Sequence, residues 1–462
     1  MMYRTRQIRI KKGHRFYPYC KEMCSASTAL YNRGTYLIRQ YATSEKRLEE
    51  GQELTENQKE AIELIRKVTL GTKYFPKKRW LTYGQLDFVL KTTDDPAYRG
   101  LPSQANQQIL RSILRNFKSF FEALKEYQKR PECFTGRPKM PGYKKKGSMT
   151  TAVLTNQICT VKEGKYIRFP GTAQRINIGK VEKDERLKEV RIKPHADSFV
   201  IDIVMEKTDP VNVRENPLSG MDMKTLKAHL ASLEKNPYRV ASIDPGTNNI
   251  CAVTNNFGEQ TFLVKGGILK SENHYYNKKL AKYRSEAKIC NDVHYTKRIS
   301  RLHDKRNRIV KDQMHKISRI ITDWAVKNRA DLVVYGHNIF QKQCIRLGHG
   351  NNQKFVQIPF QVLADMLRYK LEEKGIAFLE TEEAYTSQAD YLAQDAIPEY
   401  NKGKEKTEMS GKRRTRGLYH HKDGTISNAD INGAANIMRK VFPNVSEWDR
   451  GLVDRPYAVR IA

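Results

Sequence analysis

The chain has 462 residues, of which 39% are hydrophobic, so it can bury cores in two or three domains and is not disordered throughout. Lysine and arginine number 84 against 51 aspartate and glutamate residues, which leaves a formal net charge of +33. The positive charges repel one another in the folded state, and binding to a polyanion such as nucleic acid best offsets this repulsion. Charge alone is also compatible with a ribosome-associated or merely basic enzyme.

The cysteines and apolar segments indicate a soluble protein of a reducing compartment, with no membrane partner. The seven cysteines are odd in number, scattered, and absent after Cys344, so they do not form a disulfide framework. The N-terminal residues lack the apolar core of a signal peptide. No apolar run approaches the ~18–20 residues that span a bilayer.

The sequence of the first half of the chain predicts one strand, then a helical region, then several short strands. Residues 3–10 alternate basic residues with β-formers and predict a strand, whereas residues 19–127 have a helical pattern. Its clearest helix begins near Ser103. Residues 131–147 are rich in proline and glycine and mark a boundary. Short strands then predict a small antiparallel unit that can pair with the first strand; they are residues 166–169, 190–193 and 199–205.

From Arg239 the pattern changes to strands that alternate with helices, in the order β-β-β-α-β-α-β-α. Ribonuclease H-like nucleases use this order, with the first strand central, the fourth and fifth strands beside it, and the last helix across the same edge. The predicted strands are residues 240–243, 250–254, 260–264, 332–335 and 376–381, and the helices are 297–328, 362–374 and a last one that contains Asp430.

Two aspartates are placed for metal chemistry on this topology. Asp244 directly follows the first strand, and Asp430 lies in the last helix. Two magnesium ions about 3.5–4 Å apart would need several such hard oxygen ligands. Each aspartate also has a plain alternative: Asp244 can form a turn before Pro-Gly, and Asp430 can cap a helix N-terminus.

Specific motifs in the same region resemble the TnpB family of transposon-encoded RNA-guided nucleases. Residues 242–253 (SIDPGTNNICAV) resemble its first RuvC motif, and residues 428–437 (NADINGAANI) resemble its third. Residues 355–360 and 383–388 resemble the segments between these motifs, and further upstream the helix from Leu101 and residues 134–143 also match the family's pattern. Miniature type V CRISPR effectors share these motifs, and the sequence does not separate the two groups.

The resemblance implies a multidomain α/β protein with a ribonuclease H-like (RuvC) nuclease domain, a helical recognition lobe and a small β-barrel wedge domain. The expected domains are a first wedge strand (1–18), the recognition domain (19–135), the wedge domain (136–238), the nuclease domain (239–384), a basic lid at the zinc-ribbon position (385–426), and the last nuclease helix with the tail (427–462).

The resemblance also implies the partners: a guide RNA, double-stranded target DNA with a short flanking motif, and two Mg²⁺ ions. It places the protein in a prokaryotic cytoplasm, at the nucleoid when on DNA, and leaves its oligomeric state open. Basic residues expected to contact nucleic acid lie on the long helix and in the lid; they are Arg298, Arg301, Lys305, Arg308, Lys412, Arg413, Arg414 and Arg416.

The first departure from the family concerns an acid. In the family the fourth strand ends in a glutamate, but here Gly336 stands at that position. Adjacent strands lie only about 4.8 Å apart, so an acid at the end of the fifth strand can take its place. We expect Glu383 to complete the set Asp244, Glu383 and Asp430 as catalytic and metal-binding residues, with Glu382 as the second choice. A solvated acidic turn is the alternative.

The second departure concerns zinc. The family has two Cys-x-x-Cys pairs before the last catalytic aspartate, whereas this chain has no cysteine there, so we expect no zinc. The adjacent His420 and His421 are poorly spaced for joint ligation and are interpreted as surface residues. In place of the ribbon, residues 410–417 are interpreted as a basic loop, either a lid on nucleic acid or a solvated segment.

The sequence therefore predicts an RNA-guided DNA endonuclease, Mg²⁺-dependent, that cuts beside a short flanking motif. One alternative is a nuclease-dead RNA-guided repressor, which Gly336 favours. Another is a guide-free ribonuclease H-like transposase or resolvase, which would purify without tightly bound RNA.

Overall fold

The strands and helices form two compact units, residues 1–209 and 210–462. The computed structural model describes residues 2–77, 80–207, 215–233, 235–337, 357–398, 408–415, 417–442 and 456–461. In that part of the chain, no helix is both long and apolar enough to cross a membrane.

In the part of the first unit that the structure describes, five α-helices and a short 3-10 helix (Pro131–Cys133) combine with two antiparallel sheets. The predicted pairing of the first strand with the later strands is confirmed, because β1 (Met2–Ile10) runs antiparallel to β7 (Ser198–Lys207). The four-stranded sheet has the order β1-β7-β6-β2, with β2 at Ala152–Thr155 and β6 at Glu185–His195. The other sheet is β3-β4-β5, at Thr160–Lys162, Tyr166–Arg168 and Arg175–Asn177. The helices are α1 Tyr17–Glu49, α2 Glu56–Thr69, α3 Tyr83–Thr92, α4 Pro96–Arg99 and α5 Ser103–Lys129.

These helices and strands share one apolar core. Leu37 of α1 and Ile113 of α5 belong to the same buried cluster as Val190 and Ile201 of the sheet. Residues on both sides of the predicted boundary near residue 135 thus contribute to the same core, and the division into a recognition domain and a wedge domain stays a prediction. In the described residues the strands form two separate sheets, so the closed wedge barrel stays a prediction.

The second unit is built on a six-stranded mixed sheet with the order β12-β11-β8-β9-β10-β16. The central β8 pairs in parallel with β11, which pairs in parallel with β12, and β8 is antiparallel to β9. The predicted strand order is thus confirmed, while β16, which adds to β10 in parallel, was not predicted. The strands are β8 Val240–Asp244, β9 Asn249–Asn255, β10 Phe262–Lys265, β11 Leu332–Gly336, β12 Ala377–Thr381 and β16 Tyr457–Val459.

Helices cover both faces of this sheet. One face packs on α8 (Lys297–Lys327) and α9 (Phe360–Glu372), and the other on α6 (Met223–Ala231) and α10 (Ala429–Val441). The predicted long basic helix is α8, whereas its partner α7 (Gly267–Asn291) was not predicted. A small sheet, β13-β14-β15, precedes α10 and comprises Lys412–Thr415, Leu418–His420 and Ile426–Asn428.

The boundary between the units differs from the predicted one at residue 238. Leu226 and Leu230 of α6 pack in one apolar cluster with Val240, Leu332 and Leu379 of the second unit's sheet. The polar composition of residues 209–237 conceals this apolar stripe.

Candidate active site

Asp244 lies at the end of the central strand. Val240, Ala241 and Ile243 are buried, and the strand ends at the aspartate. In the parallel neighbour β11, Tyr335 pairs with Ile243, so the next residue, Gly336, lies level with Asp244. The carboxylate therefore stands beside the position where the family's glutamate is absent.

Helix α10 crosses β8 at a glycine. The Ser242 hydroxyl donates to the Ala434 carbonyl at 2.6 Å, which holds the helix backbone on the strand. A Cβ atom added to Gly433 would lie 2.6 Å from Oδ2 of Asp244. No other residue at 433 would leave the Asp244 carboxylate where it is.

Of the two candidate glutamates, Glu383 is the one that lies beside Gly336, at the end of β11. Its Oε2 lies 3.2 Å from the place of a Cβ on Gly336, so the carboxylate lies beside the space that a side chain on β11 would take. Glu382 points to Lys440 instead, with Oε2 and Nζ 3.4 Å apart. Both glutamates follow the end of β12, so their side-chain directions are set by the turn after the strand. In that turn the Thr386 hydroxyl donates to the Glu383 carbonyl at 2.9 Å.

Asp430 lies in the first turn of α10 and is not its N-cap. The Asn428 side chain caps the helix by accepting from the backbone N–H groups of Asp430 and Ile431 at 3.0 and 3.2 Å. The Asp430 carboxylate is thus available for other contacts. Its Oδ2 accepts from Asn249 Nδ2 at 2.6 Å, and its Oδ1 from Arg413 Nη2 at 3.3 Å.

The three acids influence one another electrostatically. Burial raises the pKa of Asp244 well above its ordinary value, the negative charges of Glu383 and Asp430 raise it further, and the positive charge of Arg413 lowers it. Among the described residues, no group of three or more His, Cys, Asp or Glu side chains lies close enough to form a metal cage. Magnesium ordinarily binds through one or two carboxylates with water and phosphate oxygens, so the donor set fits that ion without a cage.

The predicted nucleic-acid-binding residues fall in two places, the long helix α8 and the lid, where Arg413 contacts Asp430. Arg413 lies in β13, a strand where a loop was predicted, and Lys412 and Arg414 beside it are exposed. Arg416 lies outside the described residues. On α8, Arg298 contacts Glu286 and the Tyr283 ring, and Arg308 lies 3.4 Å from Asp304. Arg301 and Lys305 are exposed on the same helix.

At the zinc-ribbon position, a hydrogen-bonded network holds the lid. His421, interpreted above as a surface residue, is buried: its Nδ1 lies 2.6 Å from Asp390 Oδ1 and its Nε2 2.7 Å from the Ser427 hydroxyl. Asp390 also accepts from the backbone N–H groups of Lys422 and Ala393. The surface interpretation was wrong because the partner of His421 lies 31 residues away in the sequence.

Two further asparagines were missed by the sequence analysis. Asn432 and Asn436 lie one turn apart on α10 and are fully buried. Their side chains donate to the Ala389 carbonyl at 2.9 and 2.8 Å, and that of Asn436 also donates to Thr386 at 3.0 Å. They anchor the segment that follows Glu383. Their i, i+4 spacing in the third motif was the available signal.

Comparisons with known proteins bear on this unit. The family model OrfB_IS605, described as "Probable transposase", matches residues 210–339. The model "Cas12f1-like, TNB domain" matches residues 360–437. The resemblance to the TnpB family is thereby confirmed. No curated protein matches the chain.

Solved structures that match the chain over most of its length share little sequence with it. A Cas12f1–sgRNA–target DNA complex has 14% identity and a TM-score of 0.31, covering 94% of this chain and 98% of that one. The mini-RNA-guided endonuclease CRISPR-Cas_phi3 has 12% identity and a TM-score of 0.40, covering 97% and 93%. C2c1 from Alicyclobacillus acidoterrestris has 10% identity and a TM-score of 0.33, covering 92% and 70%.

The raised pKa of Asp244 predicts how stability depends on pH. The folded state favours the protonated form of the Asp244 carboxyl. This group therefore contributes fully to stability below its ordinary pKa of about 3.9, and the contribution is lost as the pH rises through its raised pKa in the folded state. Asp244→Asn should therefore raise the Tm of the metal-free protein at pH 7, and the gain should vanish towards pH 3.5–4 or so. Thermal melts across pH measure this. The exposed Asp312, paired with Lys316, is the control: Asp312→Asn should change Tm little. An unchanged Tm at pH 7 in Asp244→Asn would contradict the assignment.

The Asp390–His421 network predicts that the lid is held without metal. His421→Ala would leave a buried carboxylate without one of its hydrogen-bond donors, at a cost of about 1–3 kcal/mol. Hydrogen exchange of the amides 418–428 should speed up accordingly, while EDTA should leave wild-type exchange unchanged. His420→Ala, at the neighbouring and partly exposed position, is the matched control. Faster exchange of wild type in EDTA would show that a metal holds the lid instead.

Proposed function

We propose that this TnpB-like chain is an RNA-guided DNA endonuclease with a RuvC-type, ribonuclease H-like nuclease site formed by Asp244, Glu383 and Asp430. One observation carries the proposal: the Glu383 carboxylate lies beside Gly336, level with Asp244, in the space that the family's missing glutamate would occupy. On this proposal, an acid from the turn that follows the neighbouring strand β12 takes the place of the missing glutamate.

Charge supports a nucleic-acid substrate. The net charge of +33 favours binding to a long polyanion by shape and backbone contacts, which is how a guide–target duplex is held. The exposed Lys412 and Arg414, on the same strand as Arg413, add positive charge beside the acids. We infer that this lid strand contacts the DNA backbone near the scissile bond.

Asp244, Glu383 and Asp430 are the residues that would hold Mg²⁺, which when bound supplies Lewis acidity and a water of lowered pKa. The protein's own part is electrostatic. Burial and the two neighbouring acids make the ionised form of Asp244 costly, and a cation bound between the three carboxylates would offset that cost. Arg413 offsets some of this charge in the free protein through its contact with Asp430.

The two alternatives each rest on one feature. Gly336 favours a nuclease-dead repressor, and the position of Glu383 argues against it. The description "Probable transposase" of the family model matching residues 210–339 favours a guide-free transposase. Stable guided binding without cleavage would support the first, and a preparation free of RNA that acts on transposon ends would support the second.

The decisive experiment is guided cleavage. The protein is purified with RNA from its own locus, the guide is reprogrammed to a plasmid library with randomised flanks, and Mg²⁺ or EDTA is added. We expect Mg²⁺-dependent loss of plasmids that carry one defined flank. Binding of the target without loss of any plasmid would overturn the nuclease proposal.

The role of Glu383 predicts a sharp difference between adjacent residues. Glu383→Gln should reduce cleavage by about 100-fold or more, because it removes a charge at the reacting centre while keeping the side chain's shape. Glu382→Gln, the matched control, should cut at a rate near that of wild type, since Glu382 faces Lys440. Both variants should bind guide RNA and target equally in a filter-binding assay. The reverse order of activities would make Glu382 the catalytic acid.

The packing around Gly336 predicts that the family's glutamate cannot simply be restored. A Cβ at this position would lie 2.4 Å from Cδ1 of the buried Ile437, so Gly336→Glu should destabilise the protein by about 1–3 kcal/mol and displace Glu383. We expect Gly336→Glu combined with Glu383→Gln to stay inactive, and the further change Ile437→Ala to recover part of the cleavage by making room. Full activity of the double variant would show that the space is not limiting.

A further inference from the structure

A polar chain leads from β10 to the last acid of the site. Lys265, at the end of β10, donates from Nζ to Oδ1 of Asn249 at 3.0 Å. Asn249, at the start of β9, donates from Nδ2 to Oδ2 of Asp430 at 2.6 Å. Neither Lys265 nor Asn249 was among the candidate site residues from the sequence.

An irregularity in the strand pairing aims Asn249 at Asp430. Val264 pairs with Cys251, but Lys265 pairs with Asn249, so Ile250 is an extra residue between the two pairs. Ile250 and Cys251 consequently belong to the same apolar cluster on the α8 face, where regular alternation would place them on opposite faces. Bulges of this kind redirect side chains. Here the bulge turns Asn249 towards the face that carries α10.

The chemistry of the two ends fixes the orientation of the amide. The ammonium group of Lys265 can only donate, so the oxygen of Asn249 must face it. An ionised carboxylate can only accept, so the Asn249 nitrogen must face Asp430. Reversing the amide would break both contacts at once.

The two oxygens of Asp430 therefore have partners of different kinds. Oδ2 is held by Asn249, whose own position is set by Lys265 and the bulge. Oδ1 contacts Arg413 at 3.3 Å, through a side chain that is 40% exposed and lies on the lid. Arg413 is thus an exposed side chain of the lid, whereas Asn249 belongs to the central sheet and is bonded to a second residue of that sheet.

We propose that Asn249, held by Lys265, is a positioning residue that fixes the Asp430 carboxylate so that Oδ1 alone is presented to an incoming cation, in exchange for Arg413. The inference rests on the proposed function, since it specifies how one acid of that site meets its metal. Asn249 acts through Asp430 and does not itself touch the reacting atoms.

The test measures metal binding as well as cleavage. Asn249→Ala is compared with wild type in the complex with guide RNA and an uncleavable phosphorothioate target, using Mn²⁺ as the probe and electron paramagnetic resonance to count bound ions. We expect the Mn²⁺ affinity to fall by about 10–100-fold, the usual effect of removing a group that orients a metal ligand. On a cleavable target, the Mg²⁺ concentration for half-maximal rate should rise by a similar factor, with most of the rate recovered at saturation.

Three further variants separate positioning from folding. Asn248→Ala is the matched control, because Asn248 is exposed and its oxygen contacts Lys270 on the surface. Lys265→Met should weaken Mn²⁺ binding like Asn249→Ala, since the amide loses the partner that orients it. Lys265→Arg keeps a cationic donor and should restore most of the affinity.

The possible outcomes are distinguishable. Equal Mn²⁺ binding by wild type and Asn249→Ala overturns the inference, whether or not the protein cuts DNA. A lowered Tm in Asn249→Ala, with cleavage that saturating Mg²⁺ does not recover, also overturns it and makes the residue structural. If Asn249→Ala weakens Mn²⁺ binding but the wild-type protein never cleaves DNA, the inference about Asn249 is supported and only the endonuclease proposal is contradicted.

Discussion

The candidate site depends on the close approach of α10 to the end of β8. Gly433 has no side chain, and Ser242 bonds to the carbonyl of Ala434, so the helix backbone rests directly on the strand beside Asp244. This contact buries the Asp244 carboxylate and brings Asp430, one helical turn earlier, to the same end of the sheet. The burial is unfavourable for an ionised acid, which is why the pKa of Asp244 is raised. Folding energy from the apolar faces of α10 and the sheet holds the acids together against their repulsion.

The same helix covers Gly336 on β11, where the family has a glutamate. Ile437 of α10 fills the space over Gly336, so that a side chain there would collide with the helix. Glu383 reaches the point from the next strand because neighbouring strands are about 4.8 Å apart, a distance that one side chain spans. Asn432 and Asn436 then fix the segment after Glu383 to α10 by hydrogen bonds. These hydrogen bonds hold the turn that carries Glu383 beside Gly336.

The lid is held by neutral and charged hydrogen bonds between groups far apart in the chain. Asp390 and His421 are both buried, and hydrogen bonds from His421, Lys422 and Ala393 outweigh the effect of burial, so that the pKa of Asp390 lies below its ordinary value. A carboxylate with this many donors is stable in a buried setting. The network fixes β13 and β14 relative to the start of α10, and in doing so keeps Arg413 within reach of Asp430.

Much of the second unit was determined by the sequence itself. Runs of apolar residues of strand and helix length specified β8, β11, β12 and α8, and the placement of Asp244 and Asp430 at one edge followed from their order. The helix α7 and strand β16 escaped notice because the apolar residues of α7 do not gather on one face, as those of α8 do, and β16 is three residues long. The choice between Glu383 and Glu382, the burial of His421 and the aim of Asn249 were decided only by the tertiary structure. Each depends on a turn, a bulge or a partner distant in the chain, and side-chain direction at such points is set by packing rather than by the local residue pattern.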